Sequence, residues 1–140
     1  MLFARPHRHT FRAPILGIVV LLTLAGQGFA ATASGGRGHS AVVLPDGSVW
    51  TWGANDRGQI GDGTGLSALT PTQVPGLAGI VGVASGDDHV LALGSDGTVW
   101  AWGTNDVGQV GDGTTVDRVS PVVVLSGAVG IDGGPDFSLA

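Results

Sequence analysis

A chain of 140 residues has room for one ordinary domain, and its formal net charge of −5 is unevenly spread. From Ser34 onward only Arg37, Arg57 and Arg118 stand against eleven aspartates, a net of −8, and a surface of that sign repels phosphate backbones, so direct nucleic-acid binding is not expected. Lys, Glu, Tyr and Cys are absent while Gly occurs 26 times; this composition disfavours helices, favours short strands and tight turns, and leaves no disulfide to staple a small core.

The chain opens on an address rather than a fold. Arg5, His7, Arg8, His9 and Arg12 make a basic start, residues 15–25 are an uncharged apolar run, and Gly28, Ala30, Ala31 and Ala33 offer a small-residue cleavage point after Ala30 or after Ala33. The run is short of the roughly 20 apolar residues a membrane span needs. Residues 1–33 therefore read as a secretory signal peptide, with an uncleaved amino-terminal anchor as the alternative; no membrane association is expected after cleavage.

Strands come next, and they come twice. In the better-defined copy, residues 80–84 read as a short buried strand and 89–93 as a second, after a Ser85-Gly86-Asp87-Asp88 turn. Ser95-Asp96-Gly97 is a hairpin signal, because the glycine supplies the positive φ that a tight turn needs. Residues 98–102 alternate, placing Trp100 and Trp102 on one face and Val99 and Ala101 on the other. A glycine-rich loop follows at 105–113, then a fourth strand entered by a proline at 121–125, matching 71–75 in the other copy; proline suits an outer position.

The period is 50 residues. Residues 99–114, V-W-A-W-G-T-N-D-V-G-Q-V-G-D-G-T, repeat residues 49–64, V-W-T-W-G-A-N-D-R-G-Q-I-G-D-G-T, differing only at Thr51/Ala101, Ala54/Thr104, Arg57/Val107 and Ile60/Val110. After Val124 the register shortens to 48, so that 137–139 corresponds to 89–91. The units are a first repeat at 34–84, a second at 85–132, and the start of a third at 133–140. Four strands per unit make one blade of a β-propeller.

The pattern G-x-x-H, then D-G-x-V-x-x-W-G-x-N-x-x-G-Q-x-G-D-G, then P-x-x-V, resembles the repeat of the regulator of chromosome condensation family across residues 35–140. The absence of a Trp-Asp dipeptide separates it from the WD40 repeat. The resemblance implies an all-β fold, a partial propeller of four-stranded antiparallel blades, whose family members close a ring of seven. Two repeats and a beginning depart from that, and read as part of a larger secreted propeller or as a unit that self-associates through open blade edges.

The residues shared by both copies read as the structural core of the repeat: His39, Trp50, Trp52, Gly53, Asn55, Gly58, Gln59 and Gly61, with His89, Trp100, Trp102, Gly103, Asn105, Gly108, Gln109 and Gly111. Each histidine recurs in its own slot and is expected to hydrogen-bond within its own blade rather than to share a metal. The aspartates lack a calcium-loop pattern and read as turn formers. The glycines lack the lysine and helix start of a phosphate loop. No nucleophile, base and orienting group can be assembled, so neither catalysis nor a cofactor or metal is expected. What remains for a partner are the positions where the copies disagree: Arg57, Arg118 and the loops at 65–70 and 115–120. The leading expectation is a secreted, non-catalytic binding or scaffold module with a protein or cell-envelope partner. The family likeness also admits a secreted inhibitor of the β-lactamase-inhibitory type, and, against the charge and the export signal, a nucleotide-exchange role on a small GTPase.

Overall fold

The computed structural model describes residues 32–140; the signal-peptide reading at 1–33 therefore lies almost wholly outside the described residues. Two four-stranded antiparallel sheets and a two-stranded hairpin follow one another along the chain. The first sheet runs in sequence order through β1 (Thr32–Gly35), β2 (His39–Val43), β3 (Val49–Gly53) and β4 (Ala68–Gln73). The second repeats it with β5 (Ile80–Ser85), β6 (His89–Gly94), β7 (Val99–Gly103) and β8 (Arg118–Leu125). The hairpin is β9 (Asp132–Gly133) with β10 (Ser138–Leu139). Among the described residues, no helix is long and apolar enough to cross a membrane.

Local chemistry dictates each turn. Four times the chain writes Asp-Gly followed by Ser or Thr, and the aspartate accepts the backbone N–H two residues on, at 2.9 Å from Ser48, Thr64, Thr98 and Thr114. The glycine between them turns through positive φ, +80° at Gly47 and +82° at Gly97, which an L side chain rarely adopts. Hydrogen bonds from the hydroxyl and backbone of Ser48 hold the Asp46 carboxyl below its ordinary range, and those of Thr98 do the same for Asp96. These aspartates are turn formers whose carboxylates are already engaged.

The fourth strand corrects the sequence reading in extent. It begins three residues before the proline, at Ala68 and Arg118, and in the first sheet it ends at Gln73 rather than Pro75. The early start comes from pairing with the glycine that closes the third strand, Gly53 with Ala68 and Gly103 with Arg118. The register then shifts, so Pro71 and Pro121 fall in the irregular stretch where no ladder N–H is required.

Packing between the sheets makes the core. One cluster joins Ala41, Val43 and Val49 of the first sheet, and Val74 just past its last strand, to Val90, Ala92 and Trp102 of the second, with Trp100 packed against it. A second joins Leu91, Val99, Ala101 and Val110, with Ile131 from the approach to β9 packed against it. The expected split of the third strand is thus observed, its tryptophans towards the first blade and Val99 and Ala101 away from it. The strand β6 shows what being enclosed does: it is buried almost continuously, whereas the equivalent β2 alternates between buried and half-buried residues. The same sequence pattern therefore has one covered face in the first blade and two in the second.

Only one of the four tryptophans anchors this packing fully. Trp102 is completely buried, while Trp50, Trp52 and Trp100 are half-buried. Trp102 lies between the two blades; Trp50 reaches back to its own turn, donating from Nε1 to Ser48 Oγ at 3.0 Å. Replacing Trp102 by Ala is expected to cost about 3 to 5 kcal/mol, and Trp52→Ala, at the equivalent but half-buried place, distinctly less. Urea unfolding of the two variants side by side checks the ranking, and equal losses would contradict it.

Candidate functional site on the loops after the third strands

The loop after each third strand is wired by two amide side chains. Asn55 accepts the Ile60 N–H at 3.0 Å and donates from Nδ2 to the carbonyls of Thr64 and Leu66 and to Asp62. Asn105 repeats this with Val110, Thr114, Val116 and Asp112. Gln59 accepts the Arg57 N–H at 2.8 Å and donates to Asp56, and Gln109 does the same with Val107 and Asp106. Both asparagines and Gln59 have no solvent exposure and Gln109 almost none, so each bond is made where an unpaired amide would cost about 1 to 3 kcal/mol. The Asn and Gln of the repeat thus act as a polar core that fixes the loop.

The glycines make room for the neighbouring blade. A Cβ on Gly61 would lie 2.6 Å from Nε1 of Trp102, and one on Gly58 2.7 Å from Cα of Val119. Gly53 and Gly103 meet the turn before their own second strand, where a Cβ would sit 2.3 Å from the Gly38 carbonyl and 2.5 Å from that of Asp88. Gly108 has open space up to a 3.9 Å approach to Thr114, and Gly111 has nothing within 4 Å among the described residues. The glycines of the motif are therefore covered in the first blade and open in the second, where Gln109 and Val110 nevertheless stay buried.

Across the junction, Trp102 donates from Nε1 to the Gln59 carbonyl at 3.0 Å, and the N–H of Gly63 donates to the Val119 carbonyl at 2.9 Å. Both arginines that differ between the copies or stand in the variable loops are engaged. Arg57 pairs with Asp117 of the next blade at 3.3 Å, and Arg118 pairs with Asp112, whose carboxyl falls to about 2 with the Thr114 hydroxyl as the largest cause. Asp117 in turn caps the Asn105 N–H at 2.8 Å. Arg57 and Arg118 thus hold the loops in place; the side chain of Arg57 remains half exposed. Asp117 and the buried Thr51, whose hydroxyl donates to the Ile60 carbonyl at 2.6 Å, were not singled out from the sequence. The signal for Asp117 was present in the pairing of two differences, Arg57/Val107 and Ser67/Asp117.

The histidines correct an expectation. Neither bonds within its own blade: His39 has no partner at either ring nitrogen, and His89 Nε2 meets Ser138 Oγ at 3.0 Å in the following unit. Ser138 donates its only proton to the Gln109 carbonyl at 2.6 Å, so the His89 N–H must donate to Ser138. At the first junction the residue in the place of Ser138 is Val90, which offers His39 nothing. Burial, opposed by Asp88 and reinforced by His89, lowers the His39 pKa from 6.5 to about 4. Burial also lowers that of His89.

A hollow of about 380 Å³ lies where the turns after β1, β5 and β9 stack, lined by Gly36, Arg37, Gly86, Asp87 and Gly134 among others. It is mostly backbone. Among the described residues no three His, Cys, Asp or Glu side chains gather as a metal site would require. What the loops do present is apolar: Leu66 and Val116 occupy equivalent places and are 75% and 60% exposed, although their carbonyls are pinned by Asn55 and Asn105. An ordered loop that displays a large aliphatic side chain is suited to contact with another macromolecule.

Successive four-stranded antiparallel blades, packed face to face and carrying the same loop on the same corner, define a repeat protein of the β-propeller type. The model of the regulator of chromosome condensation (RCC1) repeat matches residues 46–93 and 96–140, and a second RCC1 repeat model matches 30–59 and 80–109. The chain belongs to the RCC1 repeat family. It is 39% identical over 56 residues to the RCC2 homolog of Danio rerio, spanning 39% of this chain and 11% of that protein. It is 42% identical over 71 residues to the human E3 ubiquitin-protein ligase HERC2, spanning 49% of this chain and 1% of that one. Among solved structures, Prp20p of Saccharomyces cerevisiae superposes with a TM-score of 0.70 at 22% identity over 84% of this chain, and human WBSCR16 with 0.70 at 28% identity over the same share. The chain spans about a third of each of those structures.

Protonation gives a direct test of the buried histidine. A group whose pKa is depressed by folding binds its proton more readily when unfolded, so stability present above pH 6.5 is lost as pH falls through 6.5 towards 4. His39 alone accounts for about 3 kcal/mol over that window, and His89 acts in the same direction. Urea midpoints between pH 7.5 and 4 are expected to fall, and His39→Leu to flatten the fall; an unchanged slope in the variant would contradict the assignment.

Proposed function

We propose that this RCC1-repeat protein is an exported, non-catalytic binding module that recognises a protein partner through the ordered loops after its third strands. The observation that carries the reading is the matched display of Leu66 and Val116 on loops whose backbones are fixed from behind by Asn55 and Asn105. Ordering entropy is spent in folding, so an apolar contact made there loses little on binding. Relatives lend support in kind: Prp20p was studied for its binding to Gsp1p and histones, and was solved bound by Kap60. The net charge of −8 beyond Ser34 argues for a partner with a basic or apolar surface and against nucleic acid. An inhibitor of an extracellular enzyme would be one form of such a module.

Export rests on the basic start, the apolar run and the small residues near Ala30. Cleavage after Ala30 suits the fold better than cleavage after Ala33, because Thr32 and Ala33 supply two of the four pairs between β1 and β2, with Val43 and Val42.

Two measurements test this reading. Mass spectrometry of the exported chain is expected to find Ala31 at the amino terminus; a chain that stays inside the cell would overturn the export assignment, and an exported chain that keeps residues 1–30 would overturn the cleavage. In crosslinking capture from the extracellular fraction, the wild-type chain is expected to retain a protein that the double variant Leu66→Asp, Val116→Asp loses about tenfold or more. Equal retention by both would remove the loops from the binding surface.

A further inference from the structure

Five Asp-Gly steps occur in the chain, and four of them are locked. At Asp46, Asp62, Asp96 and Asp112 the carboxylate accepts the N–H of the residue two places on, and at Asp46, Asp62 and Asp112 the hydroxyl of that residue donates to it as well. The nitrogen of the intervening glycine is engaged elsewhere: Gly47 donates to the Leu44 carbonyl at 2.9 Å, Gly97 to that of Gly94 at 3.0 Å and Gly63 to that of Val119 at 2.9 Å. At Asp112, Asn105 and Arg118 hold the carboxylate further. In these steps carboxyl and glycine nitrogen are kept from each other.

Asp132-Gly133 is built the other way. The residue two places on is Gly134, without a hydroxyl, and the Gly133 N–H donates to Oδ1 of Asp132 itself at 2.9 Å. The junction supplies the reason. Between the first and second blades, the Ser85 N–H crosses to Ser34 Oγ at 2.9 Å; by the repeat register Gly133 stands where Ser85 stands, and Ser34 has Ala84 as its counterpart. A methyl group accepts nothing, so the Gly133 N–H turns back on its own neighbour's carboxyl, and the two reacting groups are held side by side. We infer that Asp132-Gly133 is a site of self-modification, at which the chain closes an imide and reopens it as an isoaspartyl link. With the carboxyl in its acid form, the Gly133 nitrogen bonds to Cγ, its proton joins the departing hydroxyl, and water leaves. Solvent water then adds to the former main-chain carbonyl carbon of Asp132 and breaks its bond to the Gly133 nitrogen. The main chain thereafter runs through Cγ and the old carbonyl is a free carboxylate; addition at Cγ instead restores aspartate. One water leaves and one enters, and nothing is oxidised or reduced.

The place of the change gives it a consequence. An isoaspartyl link adds one carbon to the main chain, a bond of about 1.5 Å, in the middle of β9. There Asp132 pairs with Leu139 and Gly133 with Ser138, while Gly133 lies so close to the turn after β5 that a Cβ would sit 2.7 Å from the Gly86 nitrogen. The lengthened strand keeps one of these contacts at the expense of the other. Ser138 moves with it, and the hydroxyl that joins His89 Nε2 to the Gln109 carbonyl is withdrawn. Conversion therefore loosens the third unit from the second blade and leaves the junction around Trp102 untouched. This inference is independent of the partner-binding reading, which uses Leu66 and Val116.

The test is peptide mapping by mass spectrometry with electron-transfer fragmentation, which tells aspartyl from isoaspartyl links, on the chain purified as the cell delivers it and kept folded at neutral pH. Isoaspartate is expected to build up at residue 132 about tenfold or more faster than at each of the other four steps, the factor that two or three hydrogen bonds to be broken impose. Urea is expected to erase that preference, since unfolding frees all five steps alike. Ala84→Ser, which writes the Ser34 hydroxyl into the second junction, is expected to slow the conversion by about the same tenfold factor, and Asp132→Glu, whose imide needs a larger ring, to abolish it. In converted chains amide exchange is expected to quicken in β9 and β10 and to stay unchanged in β1 to β4. Isoaspartate spread evenly over the five steps of the folded chain, none at residue 132, a preference that survives urea, or an Ala84→Ser chain that converts as fast as wild type would each overturn the inference.

Discussion

The structure depends on one indole laid across one glycine. Trp102 covers Gly61 so closely that no side chain fits there, and its N–H is taken by the Gln59 carbonyl. The contact joins the blades at a point where an apolar ring and a buried polar atom are satisfied together. Everything nearby supports it: Gln59 is locked by Asp56 and the Arg57 N–H, Asn55 ties the loop from Ile60 to Leu66, and Gly58 admits β8 alongside. The glycine, the glutamine and the tryptophan of the repeat are thus parts of one contact, and they belong to different blades. A repeat unit read along the chain is not the unit that is stabilised in space.

That separation explains what could be read from residues alone. The strand order, the Asp-Gly turns and the facing of Trp100 and Trp102 follow from alternation and turn chemistry, which are local. The place of Arg57 did not, because its partner Asp117 lies sixty residues further on in a loop whose sequence differs from its counterpart. The histidines show the same limit. A residue repeated in its own slot suggests a repeated local bond, yet the partner of His89 sits on the following unit, and at the first junction that place holds Val90. Identity between copies conceals the difference because it lies in the neighbour.

The two histidines also show how burial is tolerated in a repeat. His39 is buried with both nitrogens unpaired and a pKa pushed down to about 4, an arrangement that is bearable only while the ring stays neutral. His89 occupies the same position in its repeat but finds a hydroxyl, which passes the hydrogen bond on to the Gln109 carbonyl. The carbonyl freed from an indole at the second junction is thereby satisfied by a serine. One backbone acceptor per junction must be covered, and the chain covers it by two unrelated side chains.

Exposure, seen this way, is a property of position in the stack rather than of residue type. Trp52 and Trp102 stand in matching sequence, yet one is half-buried and the other wholly enclosed, because only the second has a glycine loop beneath it. Leu69 and Val119 differ in the same sense, 95% against 44% exposed. Leu66 and Val116 do not follow this rule, since both remain exposed in both blades with their carbonyls tied inward. An apolar side chain whose exposure changes from blade to blade belongs to stacking; Leu66 and Val116, exposed in both described blades, take no part in it. On that criterion the loop tips stand apart from the stacking contacts, and a variant at Leu66 or Val116 leaves the stack intact.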